Sequence, residues 1–227
     1  MRGNVKRLIV NADDFGASCG TNRGIVHAHR NGIVTSTSLL VDAPWSDDAA
    51  ALVAVMPALS VGLHLDLDRA EPGELRRLME RQLDRFQELM GTSPTHVDTH
   101  HDTHRAPRAR AQVRRFAERH GLPLRGHSPA RACSKFYGQW GGETHPEQID
   151  VTGLERLLVG EVREGITELS CHPGYPDPEL RTSYGEEREL EVRTLCNPDV
   201  PALLDVLGIQ LIGFRDLPGL VAGVAVS

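Results

Sequence analysis

Short apolar segments alternate with amphipathic segments along most of the chain. The β-branched residues in segment 6–11 predict a buried first strand, and the apolar positions Ile25 and Val26 predict a helix over 20–31. Gly32 follows this helix directly, where glycine commonly ends helices. The remaining predicted strands are 33–41, 59–67, 95–99, 122–125, 167–171 and 210–214, and the remaining predicted helices are 44–55, 72–90, 107–120, 151–164, 186–195 and 201–207.

This alternation predicts an α/β fold, in which a parallel sheet is joined by right-handed crossover connections. No Gly-x-Gly-x-x-Gly motif follows the first strand, which disfavours an open dinucleotide-binding sheet. The seven predicted strands instead favour a TIM-like parallel β/α barrel, closed or nearly closed, with seven strands or an irregular set. No repeat or linker interrupts the pattern, so residues 1–227 are predicted to form one domain.

One long segment lacks a regular period. Residues 127–148 contain Pro, Gly and Ser together with the aromatic residues Phe136, Tyr137 and Trp140. Long irregular segments inside compact domains commonly serve as lids or binding loops. We therefore expect this segment to contribute to a binding site.

The composition excludes several classes of protein. A chain of 227 residues with 40% hydrophobic and 25% charged residues can bury a sizeable core, which excludes a disordered or collagen-like chain. The net charge of −6 provides no overall positive field for nucleic acid or an anionic membrane. The arginines between 105 and 119 spread around a predicted helix without an aromatic ladder, which is typical of a solvated face.

The sequence also predicts a location. No segment reaches the roughly 18 consecutive apolar residues that a membrane-spanning helix needs. The first residues lack the apolar region and cleavage site of a secretory signal. The four cysteines are scattered and form no Cys-x-x-Cys pair, which suits a reducing compartment. A cytoplasmic protein without a membrane span is expected, and its size leaves the formation of a homo-oligomer open.

Polar side chains gather where the predicted strands end. Asp13 and Asp14 follow the first strand, His64 lies in the third, His100 follows the fourth, and His172 follows a later one. In parallel β/α barrels the active site lies at the C-terminal ends of the strands. The common position of these distant residues therefore predicts one shared site at that face.

The pair Asp13 and Asp14 is not fully explained by helix capping. Adjacent residues of a strand point to opposite faces, unless the chain turns there, as Phe15 and Gly16 suggest. For either aspartate alone, capping of the following helix is the simpler interpretation. Two carboxylates directly after a buried strand need a partner or a metal, and one can be a ligand while the other acts as a general base.

The histidines leave several arrangements open. His64 has apolar neighbours, which is compatible with a hydrogen-bonded core residue. His100 and His104 share one face if their segment is helical, whereas an extended strand end would select Asp98 and His100. A carboxylate with two imidazoles is a common ligand set for a divalent metal. His172 precedes Pro-Gly, so its imidazole is a rigidly held proton donor or simply a turn residue.

Several short motifs stand in order along nearly the whole chain. They are Asn-Ala-Asp-Asp-Phe-Gly at 11–16, Asn-Gly-Ile-Val-Thr-Ser-Thr at 31–37, Gly-Leu-His-Leu at 62–65, Thr-His-Val-Asp-Thr-His-His at 95–101, Phe-Tyr-Gly at 136–138, Cys-His-Pro-Gly at 171–174 and Phe-Arg-Asp at 214–216. In this order and spacing they resemble the YdjC-like carbohydrate deacetylase family, which includes chitooligosaccharide deacetylases and a hopanoid-biosynthesis branch. The resemblance implies a metal-dependent barrel that removes the acetyl group from an N-acetylated sugar.

The resemblance also implies a role for each matching residue. Asp14, His64 and His100 are the implied ligands of a divalent metal, Asp13 is the implied general base, and His172 is the implied general acid. Magnesium is the metal usually assigned in this family. The same ligands also suit Zn²⁺, Mn²⁺ or Co²⁺, and ligand type alone does not choose among them.

Further residues are expected around this centre. Tyr137 and Trp140 are candidates for stacking on a sugar ring, and Asp98, His101 and His104 are expected to support the metal ligands from behind.

Two features depart from the family's pattern. Asp102 stands where relatives often have a third histidine, and the stretch after Leu67 is short where relatives often have a longer loop over the sugar. Both bear on the substrate more than on the chemistry.

Other functions are compatible with the same residues. Two histidines and one carboxylate also form the ligand set of iron(II) oxygenases, and a phosphoesterase is a second alternative among metal-dependent enzymes. A non-catalytic sugar-binding barrel is a third alternative. The adjacent Asp13 and Asp14 disfavour it, because a binding protein needs no base beside a metal.

Overall fold

The structure, a computed structural model, describes residues 5–68, 70–71, 73–180 and 182–222 of the chain. A parallel sheet forms its centre, and a short antiparallel hairpin lies apart from it. The strands are β1 (Lys6–Phe15), β2 (Ser36–Leu39), β3 (Ser60–Leu65), β4 (Val97–Thr99), β5 (Ala130–Cys133), β6 (Gln139–Trp140), β7 (Glu143–Thr144), β8 (Gly165–Cys171) and β9 (Ile209–Leu211).

The central strand of the sheet is β1. It pairs in parallel with β8 from Lys6 to Ala12, with β9 along its first residues, and with β2 along its last residues. The sheet has the order β4-β3-β2-β1-β8-β5, and β9 pairs with β1 beside this path. Because the pairs are parallel, the C-terminal ends of these strands meet at one edge.

Helices connect the strands and pack against one another. The helices are α1 (Cys19–Asn31), α2 (Ser46–Val53), α3 (Leu75–Met90), α4 (Pro107–His120), α5 (Val151–Glu161), α6 (Glu186–Leu195), α7 (Asp199–Leu207) and α8 (Leu217–Ala222). Helix α1 contacts α6, α2 contacts α3, and α3 contacts α4.

The core lies between the sheet and these helices. Leu8 and Val10 of β1 are fully buried in the same cluster as Met79 and Phe86 of α3 and Phe116 of α4. The apolar positions of α3 that were spaced at helical intervals in the sequence therefore face the sheet. The described helices include none that is long and apolar enough to cross a membrane.

The predicted α/β fold with a parallel sheet is confirmed, but the sheet forms a half-barrel, so the prediction of a closed or nearly closed TIM-like barrel was wrong. Within the described residues, β4 pairs with β3 and β5 pairs with β8, and these two edge strands do not pair with each other. The predicted strand over 122–125 is reduced to one bridge between Val97 and Leu124. No strand pairing in the described part of the chain joins this segment to β5, so the barrel is open between them.

Most other predicted elements are present within a few residues of their expected ends. Helix α4 and helix α6 have the predicted bounds, and β1 extends four residues past the predicted strand. The irregular segment 127–148 contains β5 and the hairpin β6–β7, neither of which the sequence pattern predicted.

Candidate active site

A β-bulge at the end of β1 directs two adjacent carboxylates into one cavity. The register between β1 and β2 shifts between Ala12 and Phe15, and Asp14 has a φ of 68°, in the left-handed region that non-glycine residues seldom adopt. Bulges of this kind redirect side chains. As a result Asp13 and Asp14 both line the cavity at the C-terminal ends of the strands, although they are neighbours in a strand.

The turn after the bulge requires glycine. Gly16 has a φ of 93°, and a Cβ atom there would lie 3.0 Å from the carbonyl oxygen of Leu40. The backbone N–H of Gly16 donates a hydrogen bond of 2.7 Å to Asn22 of α1. The sequence Asp-Phe-Gly thus allows the sharp change of direction that positions the carboxylates.

Asp14 lies between two imidazoles. His64 on β3 places its Nε2 atom 3.4 Å from Asp14 Oδ1, and His100, directly after β4, places its Nε2 atom 3.8 Å from the same oxygen. Asp14 and His64 are buried, whereas 27% of the His100 side chain is exposed. The structure therefore brings together the three residues that the family resemblance implied as metal ligands.

Asp98 holds His64 from behind. Its Oδ1 atom lies 2.7 Å from Nδ1 of His64, and the two residues are paired neighbours on β4 and β3. A carboxylate on one ring nitrogen fixes the imidazole's orientation and leaves the other nitrogen for a ligand. Asp98 thus lies behind His64 with no exposed surface, and its role in supporting a metal ligand stays a prediction.

Arg125 is the central cation of the buried network below the cavity. Its guanidinium binds both oxygens of Asp13 at 2.6 and 2.7 Å, Asp98 at 2.7 Å and Glu168 at 2.6 Å. Asn11 adds a hydrogen bond of 2.8 Å to Asp13. These contacts fix the carboxylate of Asp13 in one orientation beside Asp14.

A second carboxylate-histidine cluster lies at the rim of the cavity. Asp68 Oδ2 is 3.1 Å from Nδ1 of His100 and 2.6 Å from Nδ1 of His101, and Thr103 donates a hydrogen bond of 2.9 Å to its other oxygen. Among the described residues, two groups of donor atoms lie close enough together to hold a metal ion, Asp68 with His100 and His101 at the rim and Asp13 with His64 and Asp98 in the interior. Asp68 is therefore the carboxylate that orients His100, as Asp98 orients His64.

The segment that carries this cluster has an unusual backbone. His101 and Asp102 both have a φ of 53° within the 3₁₀ turn that follows β4. Such strain in non-glycine residues is concentrated at functional sites. Asp102 forms an ion pair of 3.1 Å with Arg105. The side chain of His104 lies outside the described residues, so its predicted supporting role stays a prediction.

His172, which follows β8, lies on the other side of Asp13. Its Nε2 atom is 3.8 Å from Asp13 Oδ2, and its Nδ1 atom is buried without a hydrogen-bond partner among the described residues. The backbone of His172 is fixed by α6, because its N–H donates to Glu191, which also accepts a hydrogen bond of 2.6 Å from Tyr184. The imidazole is thus close to the candidate base and reaches the cavity.

The site opens into a cavity of about 1110 Å³. Tyr137 lines it and stacks on Tyr184 with a centroid distance of 4.4 Å, and its ring edge faces His172. Trp140 does not line this cavity; it lies on the hairpin β6–β7, half exposed, and stacks on His145 at 3.6 Å. Sugar stacking stays a prediction for both rings, with Tyr137 the better placed.

The buried charges act strongly on one another. Burial raises the pKa of Asp14, but the Arg188 guanidinium and His64 outweigh it and hold this pKa well below its usual value. Burial lowers the pKa of His64, but Asp98 and Asp14 outweigh it and raise this pKa well above its usual value. Burial also raises the pKa of Glu168 to about 7, although Arg125 opposes this. Asp98 and Asp14 therefore stabilise the protonated form of His64.

Two distances from Asp14 Oδ1 are short enough for a divalent metal shared with His64 and His100. Atoms that ligate one ion at about 2.1 Å lie about 3 to 4 Å from each other, and the two Nε2–Oδ1 distances of 3.4 and 3.8 Å fall in this range. One carboxylate oxygen with two imidazole nitrogens suits several first-row divalent metals.

Several residues of the site were missed in the sequence analysis. Arg125 is the last residue of the predicted strand 122–125 and Asp68 follows the predicted strand 59–67, so the rule that selected the other polar strand ends could have found them. Arg188, on α6, donates a hydrogen bond of 2.6 Å to Asp14, and Glu191 one turn later binds the backbone of His172. Neither is distinguishable from a surface residue of a charged helix without the fold.

The half-barrel and this Asp-His-His cluster define an α/β protein with a candidate metal centre at its strand ends. The family model for YdjC-like protein matches the chain over residues 7–73 and 67–206. The chain therefore belongs to the YdjC-like family.

Two relatives cover nearly all of the chain. The carbohydrate deacetylase of Geobacillus stearothermophilus is 32% identical to it in an alignment that covers 92% of this chain and 96% of the relative. The chitooligosaccharide deacetylase of Serratia marcescens is 34% identical in an alignment that covers 93% of this chain and 99% of the relative.

Solved structures share the fold. A candidate cellobiose-phosphate cleavage protein from Enterococcus faecalis V583 has a TM-score of 0.80 and 26% identity, and the match covers 94% of this chain and 99% of that one. A family 4 acetyl xylan esterase from Clostridium thermocellum, in complex with a cobalt ion, has a TM-score of 0.58 and 14% identity, covering 95% and 91%. The latter likeness is one of fold alone.

Proposed function

We propose that the protein is a metal-dependent hydrolase that removes the N-acetyl group from an N-acetylated sugar or a compound that contains one. Its relatives named carbohydrate deacetylase and chitooligosaccharide deacetylase support this proposal over almost the full chain. The observation that carries it is the convergence of Asp14, His64 and His100, with Asp13 and His172 beside them. The proposal treats residues 1–227 as one catalytic domain.

Asp14, His64 and His100 would hold the divalent metal. When bound, such an ion supplies Lewis-acid chemistry, which polarises a carbonyl group and lowers the pKa of a water molecule. Mg²⁺ is proposed first, and Zn²⁺, Mn²⁺ and Co²⁺ fit the same donor atoms. The acetyl xylan esterase that shares the fold was solved in complex with a cobalt ion, which is compatible with a divalent metal in this protein.

Asp13 is the proposed general base. Arg125 and Asn11 hold its carboxylate, and Oδ2 faces His172 across the cavity end of β1. In this position Asp13 can take the proton from the attacking water and keep it on Oδ2. A base whose orientation is fixed by buried hydrogen bonds needs little rearrangement during the reaction.

His172 is the proposed general acid. The amine of the deacetylated sugar is a poor leaving group until its nitrogen is protonated, and the Nε2 atom of His172 is the nearby donor. Burial lowers the pKa of His172, although Asp13 and Asp14 oppose this, and a lower pKa makes its protonated form a stronger acid. The contact of its backbone N–H with Glu191 holds the ring at the rim.

Acetate release tests this proposal. The protein is stripped of metal, supplied in turn with Mg²⁺, Zn²⁺, Mn²⁺ or Co²⁺, and incubated with a panel of N-acetylglucosamine-containing mono- and oligosaccharides. We expect metal-dependent acetate release that Asp13→Asn lowers by about 10² to 10⁴-fold, the usual contribution of a general base. Asp42→Asn is the control, since Asp42 also lines the cavity but pairs with exposed Arg81.

Other outcomes would replace the proposal. No acetate from the whole panel, or full activity in Asp13→Asn, contradicts it. Phosphate release from phosphorylated sugars would indicate a phosphoesterase, and turnover that requires oxygen and iron(II) would indicate an oxygenase. Binding of sugars without any product over long incubation would indicate a sugar-binding protein.

The proposal also includes a cytoplasmic location. All four cysteines are free thiols, which suits a reducing compartment. Cell fractionation tests the location, and light scattering of the purified chain measures whether it forms a homo-oligomer.

A further inference from the structure

The two oxygens of Asp14 have different partners. Oδ1 faces the Nε2 atoms of His64 and His100, at 3.4 and 3.8 Å. Oδ2 accepts a hydrogen bond of 2.6 Å from Nη2 of Arg188. The guanidinium therefore occupies the side of the carboxylate that faces away from the imidazoles.

Arg188 is held firmly in this position. Its residue is only 7% exposed, Nη1 donates a hydrogen bond of 3.4 Å to the carbonyl oxygen of His172, and its own carbonyl accepts one of 3.1 Å from Gly174. Its side chain packs against Gly174, where a Cβ atom would lie 3.2 Å from Arg188 Cδ. The guanidinium also lies 5.9 Å from the ring centroid of Tyr184.

Few other acceptors compete for this guanidinium. Its Nε atom is buried and has no hydrogen-bond partner among the described residues. Buried polar atoms are rarely left without a hydrogen-bond partner. Because Nε has none, the position of the Arg188 side chain is determined by its other contacts. The strongest of these is the charge-assisted hydrogen bond to Asp14.

This arrangement has an electrostatic consequence. Arg188 and a metal ion at Asp14 would share the single negative charge of one carboxylate. Two cations on one buried carboxylate repel each other, since charges interact strongly in a poorly solvated interior. With Oδ2 bound to Arg188, Asp14 can offer only Oδ1 to an ion between the imidazoles.

We propose that Arg188 is a positioning residue that confines Asp14 to ligation through one oxygen and weakens metal binding, leaving coordination space for the substrate. This inference rests on the proposed function, because it takes the metal to lie at Asp14, His64 and His100. Weaker metal binding would have a chemical benefit. A metal ion with an open coordination position, whose charge is less neutralised by its ligands, is a better Lewis acid.

Metal binding to Arg188 variants tests the inference. Co²⁺ is titrated into the metal-free wild-type protein, Arg188→Met and Arg188→Lys by calorimetry, and the visible absorption of the bound Co²⁺ is recorded. We expect Arg188→Met to bind Co²⁺ at least about tenfold more tightly while kcat for acetate release falls at least about tenfold. Weaker d–d absorption is expected, because Asp14 can then supply both oxygens and raise the coordination number. Arg188→Lys, which keeps the charge, should lie between the two.

The controls separate this inference from the proposed function. Arg193→Met removes an exposed charge from the same helix and should leave affinity and spectrum unchanged. If Arg188→Met does not fold, Arg188→Gln, which removes the charge but keeps a donor, is measured in its place. Equal or weaker Co²⁺ binding in a folded Arg188→Met or Arg188→Gln protein overturns the role of Arg188. Absence of binding in the wild-type protein would instead overturn the proposed metal site.

Discussion

The two imidazoles that face Asp14 are supported in different ways. His64 lies on a buried strand and is held at 2.7 Å by Asp98, which has no exposed surface. His100 lies on a strained turn at the rim and is held at 3.1 Å by Asp68, whose side chain is 30% exposed and shared with His101. One proposed ligand is thus fixed by the sheet, whereas the other lies on a partly exposed turn, and the proposed metal site would join a rigid side to a more accessible one.

The buried carboxylates below the cavity share one cation, Arg125, and we expect its loss to lower the stability of the protein more than any other change considered. In Arg125→Met the carboxylates of Asp13, Asp98 and Glu168 lose their common partner. Removing one side of a buried ion pair typically costs about 3 to 5 kcal/mol. Urea denaturation should show a fall of this size in the free energy of unfolding.

Arg131→Met is the matched control, because Arg131 is exposed on β5. A loss below about 1 kcal/mol in Arg125→Met, similar to the control, would contradict the view that the interior network depends on Arg125.

Asp98→Asn should have the next largest effect. Its carboxylate orients His64, and removal of such outer partners typically lowers metal affinity by about 10 to 100-fold. We expect a loss in this range for Co²⁺, measured by calorimetry, with a lower melting temperature because Arg125 loses one partner.

Asp68→Asn tests the rim side of the comparison. The contact with His100 is longer and partly exposed, so the loss of Co²⁺ affinity should be smaller, below about tenfold, with the melting temperature unchanged. Asp102→Asn removes an equal charge from the same rim and serves as the control. If Asp68→Asn weakens Co²⁺ binding more than Asp98→Asn does, the conclusion that Asp98 holds His64 more firmly than Asp68 holds His100 is wrong.

Aromatic residues should give the smallest effects. Tyr137 lines the cavity, whereas Trp140 stacks on His145 outside it. We expect Tyr137→Ala to raise KM several-fold, and Trp140→Ala to raise it by less than about threefold, with kcat unchanged, since stacking contributes about 1 kcal/mol. Steady-state kinetics with a mono- and an oligosaccharide would show whether Trp140 contributes only to longer substrates.

The sequence predicted which residues at the strand ends form the site better than it predicted the residues that hold them in place. Asp14, His64 and His100 follow or lie in apolar segments, so the rule for parallel strands was sufficient to bring them to one edge. Asp13 and Asp14 share the cavity because of a bulge, which Phe-Gly only suggested. Periodicity also cannot show where a sheet closes, and the predicted barrel is open at Leu124.

The contacts made by charged side chains were the least predictable. Arg188 stands in a helix with several glutamates, a pattern typical of an exposed face, yet it is buried against Asp14. Such long-range pairs depend on how helices pack on the sheet, which a local pattern does not contain. The 3₁₀ turn after β4 is a similar case, because neither the helical nor the extended alternative predicted its left-handed residues His101 and Asp102.

Anomalous diffraction from crystals grown with Co²⁺ tests the central claim most directly. Data collected at the cobalt absorption edge locate the ion without reference to any assumed ligand. The account predicts one strong peak in contact with Asp14 Oδ1 and the Nε2 atoms of His64 and His100. A peak bound instead by Asp68, His100 and His101, with none beside Asp14, would contradict it.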